Sequence, residues 1–173
     1  KAAVEVLAKK KDKRVVIPLI ARWRDTSRDV RAAVAKALGE LGDSGSGPTL
    51  MRMSRDFTDT VATEAIGALG KLRYEGATEL LIDLLHGAKT RVRDKAAEAL
   101  CQLGTDKALK ALVGGLRKAS LRTAARKALA KVGGKAARHL NELLQDPRTP
   151  RSMALAAVET ARQARIRDTT PRR

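Results

Sequence analysis

Apolar residues recur along the chain at a spacing that predicts a series of amphipathic α-helices. Four segments follow one template in which the first, fifth, ninth and twelfth places are apolar: Val30, Val34, Leu38, Leu41; Val61, Ala65, Leu69, Leu72; Val92, Ala96, Leu100, Leu103; and Leu121, Ala125, Leu129, Val132. Spacings of four, four and three residues place such side chains on one face of an α-helix. The template recurs after 31, 31 and 29 residues, and a weaker fifth copy begins at Met153. We therefore expect a helical repeat protein.

A shorter amphipathic segment precedes each template helix, so the repeating unit is interpreted as a helical hairpin. The apolar residues of these shorter segments are Leu19, Trp23, Leu50, Leu81, Leu85, Leu112, Leu116, Leu140 and Leu144. Three template helices are followed by a glycine, the residue that most readily ends a helix in the left-handed conformation: Gly42, Gly104 and Gly133. The pattern predicts an all-α superhelix, an α-solenoid of about five antiparallel helix pairs.

The same template sets the expected domain organisation. Repeats are expected at about 13–42, 43–73, 74–104, 105–133 and 134–167. Apolar residues that lie 31 positions before Val34 and Leu38 indicate that residues 1–12 are the remnant of a preceding repeat. The chain is then expected to be a piece of a longer array. Residues 168–173 lose the apolar period and are expected to form a basic tail.

Several positions within the template are interpreted as structural. The tenth place carries small residues, which let neighbouring helices approach closely: Gly39, Gly70, Cys101 and Ala130. Cys101 is therefore predicted to be a packing residue, since a buried free cysteine behaves as a small hydrophobe. Trp23 shares a place with leucines of later repeats and is predicted to belong to the core. Three arginines share the second place and are assigned to contacts between repeats: Arg31, Arg93 and Arg122.

The template helices carry the pattern D-x4-VR-x-A-x4-LG-x-LG, which resembles the HEAT family and specifically the short HEAT-like repeats of the phycobilisome-lyase type. The first unit matches it with Asp25, Val30, Arg31, Ala33, Leu38, Gly39, Leu41 and Gly42. The resemblance implies a right-handed stack of helix pairs whose second helices line a concave face that binds large partners. Ala62 replaces the motif arginine and Gly87 replaces the loop aspartate, so a ladder of Asp and Arg between repeats is expected to be incomplete.

Composition narrows the classes of function. The chain is 43% hydrophobic and 32% charged, which is typical of a soluble globular protein, and no window is apolar enough to suggest a membrane span. One cysteine and two histidines exclude an internal disulfide and offer little material for a metal site, and they favour a reducing, cytoplasmic compartment. A net charge of +17 points to nucleic acid, anionic lipid or an acidic protein as partner. Aromatic residues make up only 2% of the chain, which argues against single strands held by base stacking.

Basic residues concentrate in the fourth and fifth repeats, and they form the candidate partner-binding or anion-binding site. Its members are Lys118, Arg122, Arg126, Lys127, Lys131, Arg162 and Arg165. Several recur at spacings of about four and share a helical face, on which we expect no acid to neutralise them. Two interpretations stay open for this face, a solvated basic surface and a true anion-binding patch.

The exposed stripe of the template helices decides which partner is favoured. Its seventh place reads Lys36, Gly67, Glu98, Lys127 and Glu159, and its eleventh place reads Glu40, Lys71, Gln102, Lys131 and Gln163. Mixed signs argue against a continuous track for phosphates. We therefore favour a non-catalytic scaffold that binds a large or acidic protein, with nucleic-acid binding as the alternative. No catalytic residue, metal ligand or cofactor site is predicted, because no motif brings a nucleophile and a base together.

Overall fold

The described part of the chain is built from helices. The computed structural model describes residues 13–132, 136–146, 149, 155 and 157–162. Its α-helices are α1 (Val16–Ile20), α2 (Arg28–Leu41), α3 (Gly47–Met53), α4 (Asp59–Lys71), α5 (Thr78–Gly87), α6 (Thr90–Leu103), α7 (Asp106–Gly115), α8 (Ala119–Val132) and α9 (Ala137–Gln145). Short 3₁₀ turns lie at Lys13–Val15, Ser44–Ser46 and Glu75–Ala77, and residues 157–162 are helical. None of the described residues is in a β-strand, so the predicted all-α class is confirmed.

The helices form two layers. The second helix of each pair packs against the next second helix, α2 on α4, α4 on α6 and α6 on α8. The first helices α1, α3, α5 and α7 each pack against the second helix that follows them. This arrangement is the predicted α-solenoid, and each pair contacts chiefly its neighbours along the chain.

The core lies between the two layers, where the template placed it. Seven of the eight residues at the first and ninth template places are buried: Leu38, Val61, Leu69, Val92, Leu100, Leu121 and Leu129. The eighth, Val30, is partly buried and packs against the same cluster, as do Trp23 and Cys101. The prediction that Trp23 belongs to the core and that Cys101 fills space is thus consistent with their positions, although both keep some exposure.

The predicted helix ends are confirmed where the structure describes them. Gly42 and Gly104 have φ of 74° and 65°, the left-handed conformation that glycine adopts most readily. At the matching place after α4 the chain carries Arg73, also left-handed with a φ of 49°. Gly133 lies outside the described residues, as do the predicted remnant at 1–12, the tail at 168–173 and Arg165.

Arg73→Gly should therefore stabilise the protein by about 0.5 to 1 kcal/mol, because a side chain in the left-handed region is strained and glycine is not. Urea unfolding followed by circular dichroism measures the effect. Lys36→Gly is the control, since it places glycine at an exposed position inside α2, where the expected cost is about 1 kcal/mol. Equal destabilisation by both variants would show that Arg73 is not strained.

Candidate interaction surface

An arginine and an aspartate join the first two helix pairs. Arg31 is buried, and its Nε and Nη2 donate to the two carboxylate oxygens of Asp56 at 2.8 and 3.1 Å. Its Nη1 donates to the backbone carbonyl oxygen of Asp25 at 2.9 Å, and the backbone N–H of Thr58 donates to Asp56 at 2.9 Å. The bidentate geometry is the strongest form of an arginine–carboxylate pair. Arg31 is therefore a structural residue, as predicted.

The electrostatics of this pair follow from burial and hydrogen bonding. Burial acts to raise the pKa of Asp56, but the hydrogen bonds from Arg31 and the Thr58 amide outweigh it and leave the pKa below its usual value. The hydrogen bond to Asp56 raises the pKa of Arg31, against the effect of its own burial. Both groups are thus held in their charged forms.

The Arg31–Asp56 ion pair is not repeated at the equivalent places of the next repeats, as expected. Arg31 binds the loop aspartate of the next helix pair, Asp56. One repeat later the equivalent two places are Ala62 and Gly87. The arginine and the aspartate of this pair are thus both replaced by uncharged residues, so neither replacement leaves a charge without its partner. In the third repeat the equivalent arginine, Arg93, donates to the carbonyl oxygens of Ser120 and Ala88 at 3.1 and 2.9 Å. Its buried Nε has no hydrogen-bond partner within the described residues.

The arginine of the fourth repeat also lacks the pairing that Arg31 makes. Arg122 donates through Nε to the carbonyl oxygen of Leu116 at 3.2 Å. Asp146, the loop aspartate of the following pair, instead forms an ion pair with Arg117. The predicted contact between repeats is confirmed for Arg93, which binds Ser120 of the following repeat. The hydrogen bond of Arg122 to Leu116 lies within its own repeat.

A groove runs across the second helices α4, α6 and α8. We call it the second-helix groove; its volume is about 340 Å³ and its lining residues are Thr63, Glu64, Arg91, Asp94, Lys95, Glu98, Ala124, Lys127, Ala128 and Lys131. Every one of these residues lies on, or at the start of, a second helix. The prediction that the seventh and eleventh template places face one surface is confirmed for Glu98, Lys127 and Lys131.

Glu98 lies at the centre of the second-helix groove and links two helices. One carboxylate oxygen accepts from Lys95 Nζ at 2.9 Å, and the other accepts from Lys131 Nζ of α8 at 2.7 Å. The hydrogen bond from Lys131, followed by that from Lys95, lowers the pKa of Glu98. Lys95 extends over α4 at Gly67, where an added Cβ would lie 2.8 Å from its Cε.

Two of the predicted site residues line the second-helix groove. Lys127 and Lys131 meet in the second-helix groove. Lys118 is exposed at the start of α8, with Nζ 3.5 Å from His86 Nδ1 of the preceding pair. Arg126 and Arg162 are exposed, and neither lines the groove.

The expectation that no acid neutralises these cations is wrong for Lys131. Its ammonium is paired with Glu98, which lies on another helix 33 residues away. Four charged lining residues were not predicted from the sequence: Glu64, Arg91, Asp94 and Lys95. The fourth template place, which holds Glu64 and Lys95, shares the helical face of the seventh and eleventh places and could have identified two of them.

The histidines lie apart from this groove. His139 is buried on α9, with Nε2 3.1 Å from Asp106 and Nδ1 3.4 Å from Glu142, whereas His86 is exposed on α5. Among the residues that the structure describes, no three His, Cys, Asp or Glu side chains are grouped so that they could hold a metal ion. Within the same ranges, none of the helices has the length and hydropathy to span a bilayer.

The helix pairs stack in chain order, and their second helices form a groove, which defines an α-solenoid repeat protein. The family model for HEAT repeats matches residues 1–66 and 48–130. The chain therefore belongs to the HEAT-repeat family. No curated protein sequence matches it significantly.

Solved structures share this fold. The complex of CpcE and CpcF of phycocyanin lyase from Nostoc sp. PCC7120 aligns with a TM-score of 0.54 at 21% identity, covering 94% of this chain and 72% of that one. A designed armadillo repeat protein in complex with the peptide (KR)4 aligns with a TM-score of 0.53 at 18% identity, covering 94% and 91%. Identities this low show a common helical-repeat architecture.

Proposed function

We propose that this chain is a non-catalytic scaffold that binds a protein partner, rich in acidic residues, through the second-helix groove and the basic side chains of α8. The observation that carries the proposal is the groove itself, a continuous charged surface supplied by three successive second helices. Lys127 contributes a cation that has no ion-pair partner within the described residues. Such a group gains a partner's carboxylate without losing an internal one.

The fold supports this class of function. A solenoid exposes one long surface formed by equivalent places of successive repeats, and such surfaces suit extended partners. The designed armadillo repeat protein was solved with a peptide, (KR)4, and that finding supports a peptide-binding role for this architecture. The charge of that peptide is not carried over, because the residues of the groove are this chain's own.

Protein is favoured over nucleic acid by the acids of the groove. Glu64, Asp94 and Glu98 lie among its cations and would repel a phosphate chain, which is charged at every nucleotide. A protein partner can instead place its carboxylates against Lys127 and Lys131 and keep them away from these acids. A lyase role is not proposed from the likeness to phycocyanin lyase, because at 21% identity that likeness shows the fold alone.

The double variant Lys127→Glu with Lys131→Glu should lose the partner. Full-length protein immobilised on beads would be incubated with extract of its source cells, and bound material identified by mass spectrometry before and after nuclease treatment. We expect wild type to retain a protein partner after nuclease treatment, and the groove variant to retain about tenfold less. Reversed charges in the groove repel a carboxylate that the wild type attracts.

Lys107→Glu with Lys110→Glu is the matched control, because it makes the same charge change on the exposed side of α7. It should bind like wild type, and circular dichroism should show equal helix content for all three proteins. Loss of capture after nuclease treatment, or micromolar binding of random duplex DNA at about 0.15 M salt, would contradict the proposal and favour nucleic acid. Equal capture by the groove variant and the control would show that the partner binds elsewhere.

A further inference from the structure

The charges of the second-helix groove are ordered along the stack of helices. On α4 the lining contains one carboxylate, Glu64, and no cation. The middle contribution, from α6 and the residues at its start, holds two cations and two carboxylates: Arg91, Lys95, Asp94 and Glu98. On α8 the lining contains two cations, Lys127 and Lys131, and no acid. The groove is therefore acidic at one end and basic at the other.

Internal ion pairs leave the two ends available to a partner. Glu98 is engaged by Lys95 at 2.9 Å and by Lys131 at 2.7 Å, so these three side chains neutralise one another in part. Neither Glu64 nor Lys127 has an ion pair within the described ranges. The unpaired charges at the two ends are thus a carboxylate on α4 and an ammonium on α8, and Arg91 and Asp94, which also lack an ion pair within the described ranges, add one charge of each sign between them.

The distance between these ends sets the length of a matching ligand. Adjacent packed helices lie about 8 to 10 Å apart, so α4 and α8, separated by α6, are about 16 to 20 Å apart. An extended peptide rises by about 3.3 Å per residue and covers that distance in about five or six residues. A peptide with only acidic residues would place one of them against Glu64, where like charges repel.

We propose that the second-helix groove binds an extended peptide segment of mixed charge. Its basic side chain pairs with Glu64 of α4, and its acidic side chain, about six residues away, pairs with Lys127 of α8. Side chains of an extended chain point alternately to opposite faces, so an even spacing presents both of them to the groove. This inference rests on the proposed scaffold function and refines it, because it specifies the order and spacing of charges in the partner. The Lys95–Glu98–Lys131 cluster holds α6 and α8 at a fixed separation between the two ends.

The test uses four synthetic decapeptides that differ at two positions. Positions 3 and 9 carry Lys and Glu, Glu and Glu, Lys and Lys, or Gln and Gln, in an otherwise neutral sequence of Gly, Ser and Ala. Binding to the full chain is measured by NMR titration of backbone amides at low salt, where exposed charges are least screened. We expect the Lys and Glu peptide to bind about threefold to tenfold more tightly than the others, with shifts at groove residues.

Two charge-reversal variants should change which peptide binds most tightly. Lys127→Glu should make the Lys and Lys peptide the best ligand, and Glu64→Lys should make the Glu and Glu peptide the best. Arg52→Glu, an exposed change of equal size on α3, should leave the order unchanged. Circular dichroism confirms that each variant is folded, so a changed preference reports on recognition.

Equal affinity for the mixed and the acidic peptides, no switch in the variants, or no binding of any peptide would overturn the inference. The scaffold function is judged separately by capture of the cellular partner. If that capture depends on Lys127 and Lys131 while the peptides show no preference, the function stands and the charge order is wrong. If capture is indifferent to both lysines, the function itself fails.

Discussion

Asp56→Ala should lower the free energy of unfolding by about 3 to 5 kcal/mol, because it leaves a buried guanidinium without its counterion. The side chains of Arg31 and Asp56 are only 7% and 12% exposed, and two hydrogen bonds join them. Truncation of Asp56 also removes the acceptor for the Thr58 amide. Urea unfolding at neutral pH, followed by circular dichroism, gives the change directly.

Asp59→Ala is the control for this prediction. Asp59 pairs with Lys89 at 3.8 Å, but the two side chains are 39% and 81% exposed. An exposed pair contributes about 0 to 1 kcal/mol, so its removal should matter little. If both variants cost less than about 1 kcal/mol, the Arg31–Asp56 pair is not a significant source of stability.

The same pair predicts a dependence on pH. The pKa of Asp56 is lower in the folded protein than in the unfolded chain, where it should be near 3.9. A lowered folded pKa stabilises the protein above the unfolded pKa, and this contribution is lost as pH falls through the folded value. The difference between wild type and Asp56→Ala should therefore be full above about pH 5 and shrink below about pH 4.

Gly39→Ala should destabilise the protein by about 1 to 3 kcal/mol, although alanine is the better helix former. A Cβ added at Gly39 would lie 2.6 Å from the Cβ and 2.8 Å from the Cα of Ala68. The second atom belongs to the backbone of α4, so the clash moves a whole helix away from α2 and loosens the core below it. Thermal and urea unfolding would measure the loss.

Gly114→Ala provides the contrast on α7, where an added Cβ meets no atom within 4 Å. Alanine there should stabilise the protein by about 0.5 to 1 kcal/mol through its helix propensity. The same chemical change is thus expected to have opposite signs at the two sites. Stabilisation at both would mean that α2 and α4 do not depend on close approach at Gly39.

The fold was predictable because its determinants lie within single helices. Leu38, Leu69, Leu100 and Leu129 hold the ninth template place, on the apolar face of each second helix. All four are buried in the core. The left-handed end at Gly42 follows from glycine alone, whereas Arg73 adopts the same conformation because the repeat geometry requires it. Local sequence cannot show that second case, since arginine ordinarily avoids it.

The candidate site was only partly predictable, because its pairings join different helices. The spacing of Lys118, Arg122, Lys127 and Lys131 describes positions on one helix and does not show what the adjoining helix presents. Glu98 meets Lys131 only after α6 and α8 are packed. The loop between α7 and α8 contains no aspartate, so Arg93 binds the backbone carbonyl oxygen of Ser120 instead.

The central claim is that the partner occupies the second-helix groove, and photo-crosslinking tests it most directly. A photo-crosslinking residue would replace Thr63 in the groove or, as control, Asn141, which is exposed on the first helix α9. After irradiation with the captured partner, mass spectrometry would locate the covalent adduct. The account predicts an adduct from position 63 and none from position 141. An adduct from position 141 alone would contradict it and place the partner on the first-helix layer.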